Sequence, residues 1–417
     1  MTTGKPFPLM LKKIRVFTKN DAIRHTFGYY LLFICLGLDS AIIGPTLPAL
    51  AGQTGARVGQ MGLLFLAGSI GYTLGTIIGG RVFDRVRGHP VLGIAQLFAA
   101  LLIFFIPLAP WFWLLLTILV LKGFAEGFIN TGANALLVWT HGEKVGPFMN
   151  GLHFFFGLGA FLSPFLVAQV VGVAGGYRWA FWALAVFATL VGLRMLGMSG
   201  SPQPIRAHST ETAQAARGPF PYGLVISAML FLFFYVGAEI TFGGWVYTYA
   251  VTLKLASAAG AAYLTSAFWL AFTIGRLISI PAATRFMPKR VIPAAVFFCL
   301  AVLAVGMTFS GSSLALWLMA IGLGFCMAPV WPTGFTLAGQ SVNLTGNITG
   351  VILLGDSFGG MVLPTLVGKV IEGSGPRAMV YLVFGSLALN LVAFASMLRL
   401  RPAKTPSTLS EPGSKEE

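Results

Sequence analysis

Seven ionisable side chains interrupt long apolar runs in this chain: Asp39, Lys122, Glu126, His153, Glu239, Arg276 and Asp356. A charge at the centre of a membrane span costs about 2.5–3.5 kcal/mol on insertion scales, so such groups need partners, water or a task. A carboxylate at that depth can carry a proton, attract a cation or accept hydrogen bonds from hydroxyls. Asp39, Glu126 and Glu239 are the candidates for ion coupling, and Glu239 is also a candidate for holding substrate. The competing reading is a buried structural carboxylate. Lys122 and Glu126 stand at i, i+4, a spacing that permits a local ion pair. His153 is of a type that titrates near neutral pH, and a structural histidine is an equal reading. Asp356 and Arg276 sit at similar depth, which makes their pairing conceivable.

The elements that must position these groups repeat. Asp39 is answered by Glu239, Gly44 by Gly244, Gly75 by Gly275, Arg85 by Arg285, Gly159 by Gly359 and Pro164 by Pro364, all at an offset of 200 residues. The composition is 56% hydrophobic and 9% charged. Soluble domains carry about 25% charged residues. Two matching apolar halves around a central interface are a known architecture of secondary transporters. Twelve segments reach the length of about 20 residues that a span needs: 26–51, 58–80, 89–108, 111–138, 147–173, 178–197, 221–251, 258–283, 290–309, 313–339, 346–372 and 377–399. The expected fold is therefore an all-α membrane protein with two pseudo-symmetric six-helix halves. Its parts are an N-terminal segment 1–25, a first half 26–197, a linker 198–220, a second half 221–399 and a tail 400–417. Pro8–Phe17 reads as a short amphipathic surface helix or as a disordered basic arm. Pro329 and Pro332 remove backbone donors in the tenth segment, so a local break is expected there.

The net charge of +15 raises nucleic acid as a partner, but the positives flank the spans. Of 27 Lys and Arg, 20 fall on one set of loops and termini, five on the other and two inside spans. This asymmetry places both termini in the cytoplasm of an integral plasma (inner) membrane protein. Nucleic-acid binding is not expected, and the bilayer is the expected partner. The N-terminus lacks the features of a cleavable signal. Cys35, Cys299 and Cys326 have no metal or disulfide spacing. No metal site and no cofactor are expected beyond a coupling ion, H+ or Na+. No nucleotide loop, HExxH or nucleophile elbow occurs, so the sequence does not read as an enzyme.

Between the second and third segments stands Gly80-Arg81-Val82-Phe83-Asp84-Arg85-Val86-Arg87-Gly88. Asp84 can pair with basic neighbours or accept from a helix N-terminus. The second half offers Thr284-Arg285-Phe286-Met287-Pro288-Lys289-Arg290. The loop resembles the signature of the major facilitator superfamily, G-x-x-x-D-R/K-x-G-R-R/K, with Arg87-Gly88 in inverted order. That resemblance implies a cytoplasmic gate formed by Gly80, Asp84, Arg85 and Arg285, with Asp84 helping to hold an outward-facing state. It also implies that the first and seventh spans line a central cavity.

Four short segments are similar to the fucose-type sugar symporters and the sodium-dependent glucose transporter 1 group: Asn130–Asn134, Asn150–Ala160, Tyr235–Tyr247 and Ala328–Thr333. The fucose-type pattern E-T-A-A-N-P has Asn130 at its acid and Ala135 at its proline, so coupling through that acid does not carry over. Sugars present apolar ring faces and many hydroxyls, which aromatic and polar side chains serve in turn. Asn130, Asn134, His153, Glu239, Trp245, Tyr247, Trp331 and Thr333 supply that mixture as candidate substrate-binding residues. Lipid contact or packing is the competing reading for each aromatic, since Phe, Trp and Tyr make up 13% of the chain. The reading is a monomeric secondary active transporter that moves a small polar solute, a sugar, by alternating access with a proton or sodium gradient. An exporter of lipophilic compounds and a non-transporting receptor on the same scaffold stay open.

Overall fold

The computed structural model describes residues 19–173, 176–203, 221–340 and 346–400. Pro8–Phe17, most of the linker and the tail lie outside the described residues. The described residues form α1 (Lys19–Thr54), α2 (Gly62–Phe83), α3 (Gly88–Phe105), α4 (Phe112–His141), α5 (Val145–Val170), α6 (Tyr177–Leu196), α7 (Tyr222–Thr252), α8 (Ala258–Arg285), α9 (Pro288–Thr308), α10 (Ser313–Met327), α11 (Val330–Gly339), α12 (Gly346–Ser374) and α13 (Ala378–Arg399). No strand occurs among them. Eleven stretches are long and apolar enough to cross a membrane. One of them, the 59 residues Phe112–Val170, contains both α4 and α5, joined by a turn at Gly142–Lys144. Gly142 has φ 54°, a conformation that L side chains avoid. Counting that stretch twice gives twelve crossings.

The tenth crossing is broken into α10 and α11 at Ala328-Pro329, where the sequence predicts a break. The break is satisfied internally. Tyr235 of α7 donates its hydroxyl to the Met327 carbonyl at 2.8 Å, as a freed carbonyl at membrane depth requires.

Close helix pairs follow the repeat. Gly37 of α1 meets the Phe156 carbonyl of α5, and Gly159 of α5 meets the Ile34 carbonyl of α1. At an offset of 200, Gly359 of α12 meets the Phe233 carbonyl of α7, and Gly237 of α7 meets the Gly359 carbonyl. A Cβ at Gly37, Gly159 or Gly359 would collide with backbone, and one at Gly237 would press on the Leu363 side chain, so small residues set the distance between helices. The windows that qualify as spans differ in enclosure: 72% of that in α1 is buried, against 28% in α9. α1 is thus central, while α9 presents Phe297 and Phe298 outward.

The two halves touch at one end. Thr365 of α12 donates to the Gly62 carbonyl of α2 at 3.0 Å. Gly44 of α1 abuts the backbone of Gly243 and Gly244 in α7. Ser266 of α8 donates to the Phe161 carbonyl of α5 at 2.8 Å, and Gln169 of α5 donates to the Tyr263 hydroxyl of α8 at 2.7 Å. Arg57 and Glu372 approach to 3.7 Å at the rim. All of these lie between mid-bundle and the end holding the α1–α2 turn.

Candidate functional site

A cavity of about 950 Å³ fills the interface between the halves. Leu64 and Phe65 line its closed end, below the seal. Phe286, Pro288, Val291 and Gln340 line its other end, beside the α8–α9 turn. Phe286 is exposed there, so the cavity opens toward the end that also carries the α2–α3 loop.

α4 presents a polar stripe at helical spacing: Lys122, Glu126, Asn130 and Asn134. Lys122 Nζ donates to Asp39 Oδ2 of α1 at 2.8 Å and to Glu126 Oε1 at 3.2 Å. The i, i+4 pair read from sequence is present, and the structure adds Asp39 to it. Lys122 and Asp39 are buried. A buried charge cluster of this kind is stable only when each member keeps its partner. Asp39, Lys122, Glu126, Asn130 and His153 all line the cavity from the first half. His153 stands edge-on to Phe33, with ring centroids 5.9 Å apart.

The second half contributes Glu239, Arg276, Trp331, Thr333 and Asp356. Trp331 sits just past the α10–α11 break and donates its indole N–H to Asp356 Oδ1 at 2.8 Å. Its ring stacks on Phe335 with centroids 5.4 Å apart. Arg276 lies over the Phe272 ring at 4.5 Å. Among the described residues neither Arg276 nor Asp356 has an ion-pair partner within 4 Å, so the conceivable Arg276–Asp356 pair is not formed in this state.

Three expected substrate residues do not line the cavity. Trp245 is fully buried and donates its indole N–H to the Pro364 carbonyl at 3.0 Å. It packs near Phe65, with centroids 6.3 Å apart, and so supports the seal instead of covering a ligand. Tyr247 is buried two residues farther along α7. Asn134 donates to the Asn130 carbonyl at 2.8 Å, outside the cavity wall. Trp269, Thr273 and Tyr72, which the sequence did not single out, do line it.

The residues expected to form a gate stand apart from this site. Asp84, Arg85 and Arg285 are exposed at the open end. A Cβ at Gly80 would meet nothing within 4 Å. Among the described residues the Asp84 side chain has no hydrogen bond or ion pair, while its backbone N–H donates to the Val82 carbonyl.

Two pseudo-symmetric helical halves, sealed at one end around a central cavity into which both halves place polar groups, define a membrane transporter fold. The Major Facilitator Superfamily profile matches residues 29–364. The chain belongs to that superfamily. The mouse sodium-dependent glucose transporter 1A is 29% identical over 406 residues, covering 89% of this chain and 95% of the relative. The human sodium-dependent glucose transporter 1 is 27% identical over 406 residues, covering 88% of this chain and 78% of the relative. A crystal structure of a D-xylose-proton symporter superposes with a TM-score of 0.76 at 15% identity, over 92% of this chain and 97% of that one. This last likeness shows the fold alone.

Proposed function

We propose that this transporter carries a neutral sugar by alternating access, driven by a sodium or proton gradient. The observation that carries the reading is the cavity itself: both halves contribute polar groups to one space of about 950 Å³ at mid-bundle. Asn130 and His153 face it from one side, Glu239, Thr333 and Asp356 from the other, with Trp269 and Trp331 beside them. Hydroxyl-rich ligands need such acceptors and donors, and their ring faces suit indoles. Four carboxylates, Asp39, Glu126, Glu239 and Asp356, face only two cations, Lys122 and Arg276. This balance disfavours an anionic substrate. The names of the mouse and human relatives, which include sodium and glucose, support the reading.

The Lys and Arg asymmetry supports an orientation in the plasma membrane with both termini in the cytoplasm. In that orientation the described state is inward-facing. The Asp84 loop then lies at the cytoplasmic mouth, disengaged, and re-forms its contacts when the mouth closes. The protein works as a monomer, since one chain supplies both halves of the site.

The test is a thermal-shift screen of the purified protein against a panel of neutral sugars, with sodium or choline as the cation. Stabilisation follows ligand binding by mass action, about 2.7 kcal/mol at a hundredfold excess over Kd. A shift with glucose or a related hexose, enhanced by a coupling ion, is expected. Flat melting curves across all neutral sugars, with a shift from lipophilic cations, would point to the exporter reading instead.

A further inference from the structure

Behind the Asp39–Lys122–Glu126 cluster lies a second, much smaller chamber of about 10 Å³, between α1, α3 and α4. A space of about 10–15 Å³ on this measure holds a single water-sized body. Asp39, Gln96, Glu126 and the Cys35 thiol line the chamber, and Leu36, Ala99, Ile103 and Ile129 complete the wall. Gln96 does not line the large cavity, so substrate contact does not explain it. It is 2% exposed, and Asp39 is 3% exposed.

Two residues of this wall carry buried acceptors without a partner. Asp39 Oδ1 and Gln96 Oε1 have no hydrogen-bond partner among the described residues. A buried acceptor left unsatisfied costs about 1–3 kcal/mol, more when charged. Lys122 does not relieve them: it donates to Asp39 Oδ2 and Glu126 Oε1, and neither orphaned oxygen receives its third N–H. The charges do not balance either. One ammonium faces two carboxylates, so the cluster with all three groups ionised carries a formal charge of −1. At this depth an uncompensated charge is costly. A monovalent cation brings the sum to zero, whereas a divalent one overshoots to +1. The chamber's carboxylate and amide donors are oxygens, which suit a hard ion, and the one sulfur in the wall is the Cys35 thiol.

We propose that this chamber is the site of a single sodium ion, held by Asp39 Oδ1, the Glu126 carboxylate and the amide oxygen of Gln96. The proposal rests on the ion-coupled transport reading and adds to it the identity of the ion and a ligand on α3. Leu36, Asp39 and Glu126 line both the chamber and the large cavity. Ion and substrate therefore share two carboxylates, and each changes the other's affinity by the same factor.

The experiment measures binding of radioactive sodium to the purified, sugar-free protein by scintillation proximity, with choline keeping ionic strength constant. One saturable sodium per chain is expected, not displaced by equimolar potassium. Gln96→Met replaces the amide by an apolar chain of similar length and should weaken sodium binding at least about tenfold, the effect of about 1.4 kcal/mol. Gln96→Leu serves as the second variant if the first does not fold. Gln96→Asn keeps an amide oxygen without adding charge and should lose less sodium affinity than the apolar variants. Parental sodium affinity in the apolar variants would overturn the proposal, as would a parent protein with no saturable sodium binding. Because no sugar is present, such a failure leaves the transport reading intact. Failure of glucose accumulation with sodium binding preserved would fault the transport reading and leave this site standing.

Discussion

Lys122 Nζ stands 2.8 Å from Asp39 Oδ2, tying α4 to α1 at the wall of the central cavity. The same ammonium reaches Glu126 on its own helix at 3.2 Å. One cation thus holds together two carboxylates from two helices, both lining the central cavity.

Lys122→Met should destabilise the protein strongly. It leaves two buried carboxylates without a counter-charge, and breaking a buried pair from one side costs about 3–5 kcal/mol. Adding Asp39→Asn should recover part of that loss, since it removes one of the stranded charges. Thermal melts of the parent, both single variants and the double variant in one detergent test this as a double-mutant cycle. Strictly additive losses would mean that the two side chains are not coupled.

Glu239 is the strongest single candidate for a substrate contact. A hydrogen bond to a charged acceptor contributes about 1.5–3 kcal/mol. Glu239→Ala should therefore weaken sugar binding about ten- to hundredfold, since each 1.4 kcal/mol is about tenfold. Glu239→Gln keeps the shape and one acceptor and should be milder. Calorimetry on the three proteins decides. Equal affinities in well-folded variants would make Glu239 a structural carboxylate.

Gly368 on α12 packs against the Gly59 carbonyl at the sealed end. Gly368→Leu has no room there and should pry the seal open, shifting the population toward the outward-facing state. The readout is a cysteine introduced at Ser69, which lines the cavity, in a background lacking Cys35, Cys299 and Cys326. Labelling by an impermeant maleimide from outside should rise several-fold. An unchanged labelling rate would show that this contact does not hold the seal.

Asp84→Asn should act in the opposite sense. In the described state Asp84 is exposed, so its loss there should change stability by no more than about 0.5 kcal/mol. The charge-assisted contacts proposed for it in the outward-facing state would contribute about 1.5–3 kcal/mol. Losing them should lower the outward-facing population about tenfold or more and slow uptake. Equal uptake rates and equal outside labelling of the Ser69 cysteine in variant and parent would remove Asp84 from the gate.

The twelve crossings and their pairing across the repeat were legible because apolar length and an offset of 200 residues are properties of the chain itself. The break near Pro329 was legible because proline lacks a donor. What lies across the bundle was not. Lys122 and Asp39 are 83 residues apart, and nothing local joins them. Trp245 was misplaced because α7 is apolar nearly all round, so periodicity does not say which face meets the cavity. The indole points at α12, while Trp269 of α8 takes a place on the cavity wall. Gln96 is a single amide in an apolar span, and its meaning emerges only once α3 is seen beside Asp39 and Glu126.

The central claim is coupled transport through this cavity, and uphill accumulation tests it most directly. Radiolabelled glucose uptake is measured in proteoliposomes under an imposed inward sodium or proton gradient, for the parent and Asp39→Asn. The parent should concentrate glucose above the bath level, while Asp39→Asn should still exchange glucose but only equilibrate it. A parent that binds glucose yet never exceeds equilibrium, or an Asp39→Asn variant that accumulates it at the parental level, would contradict the account.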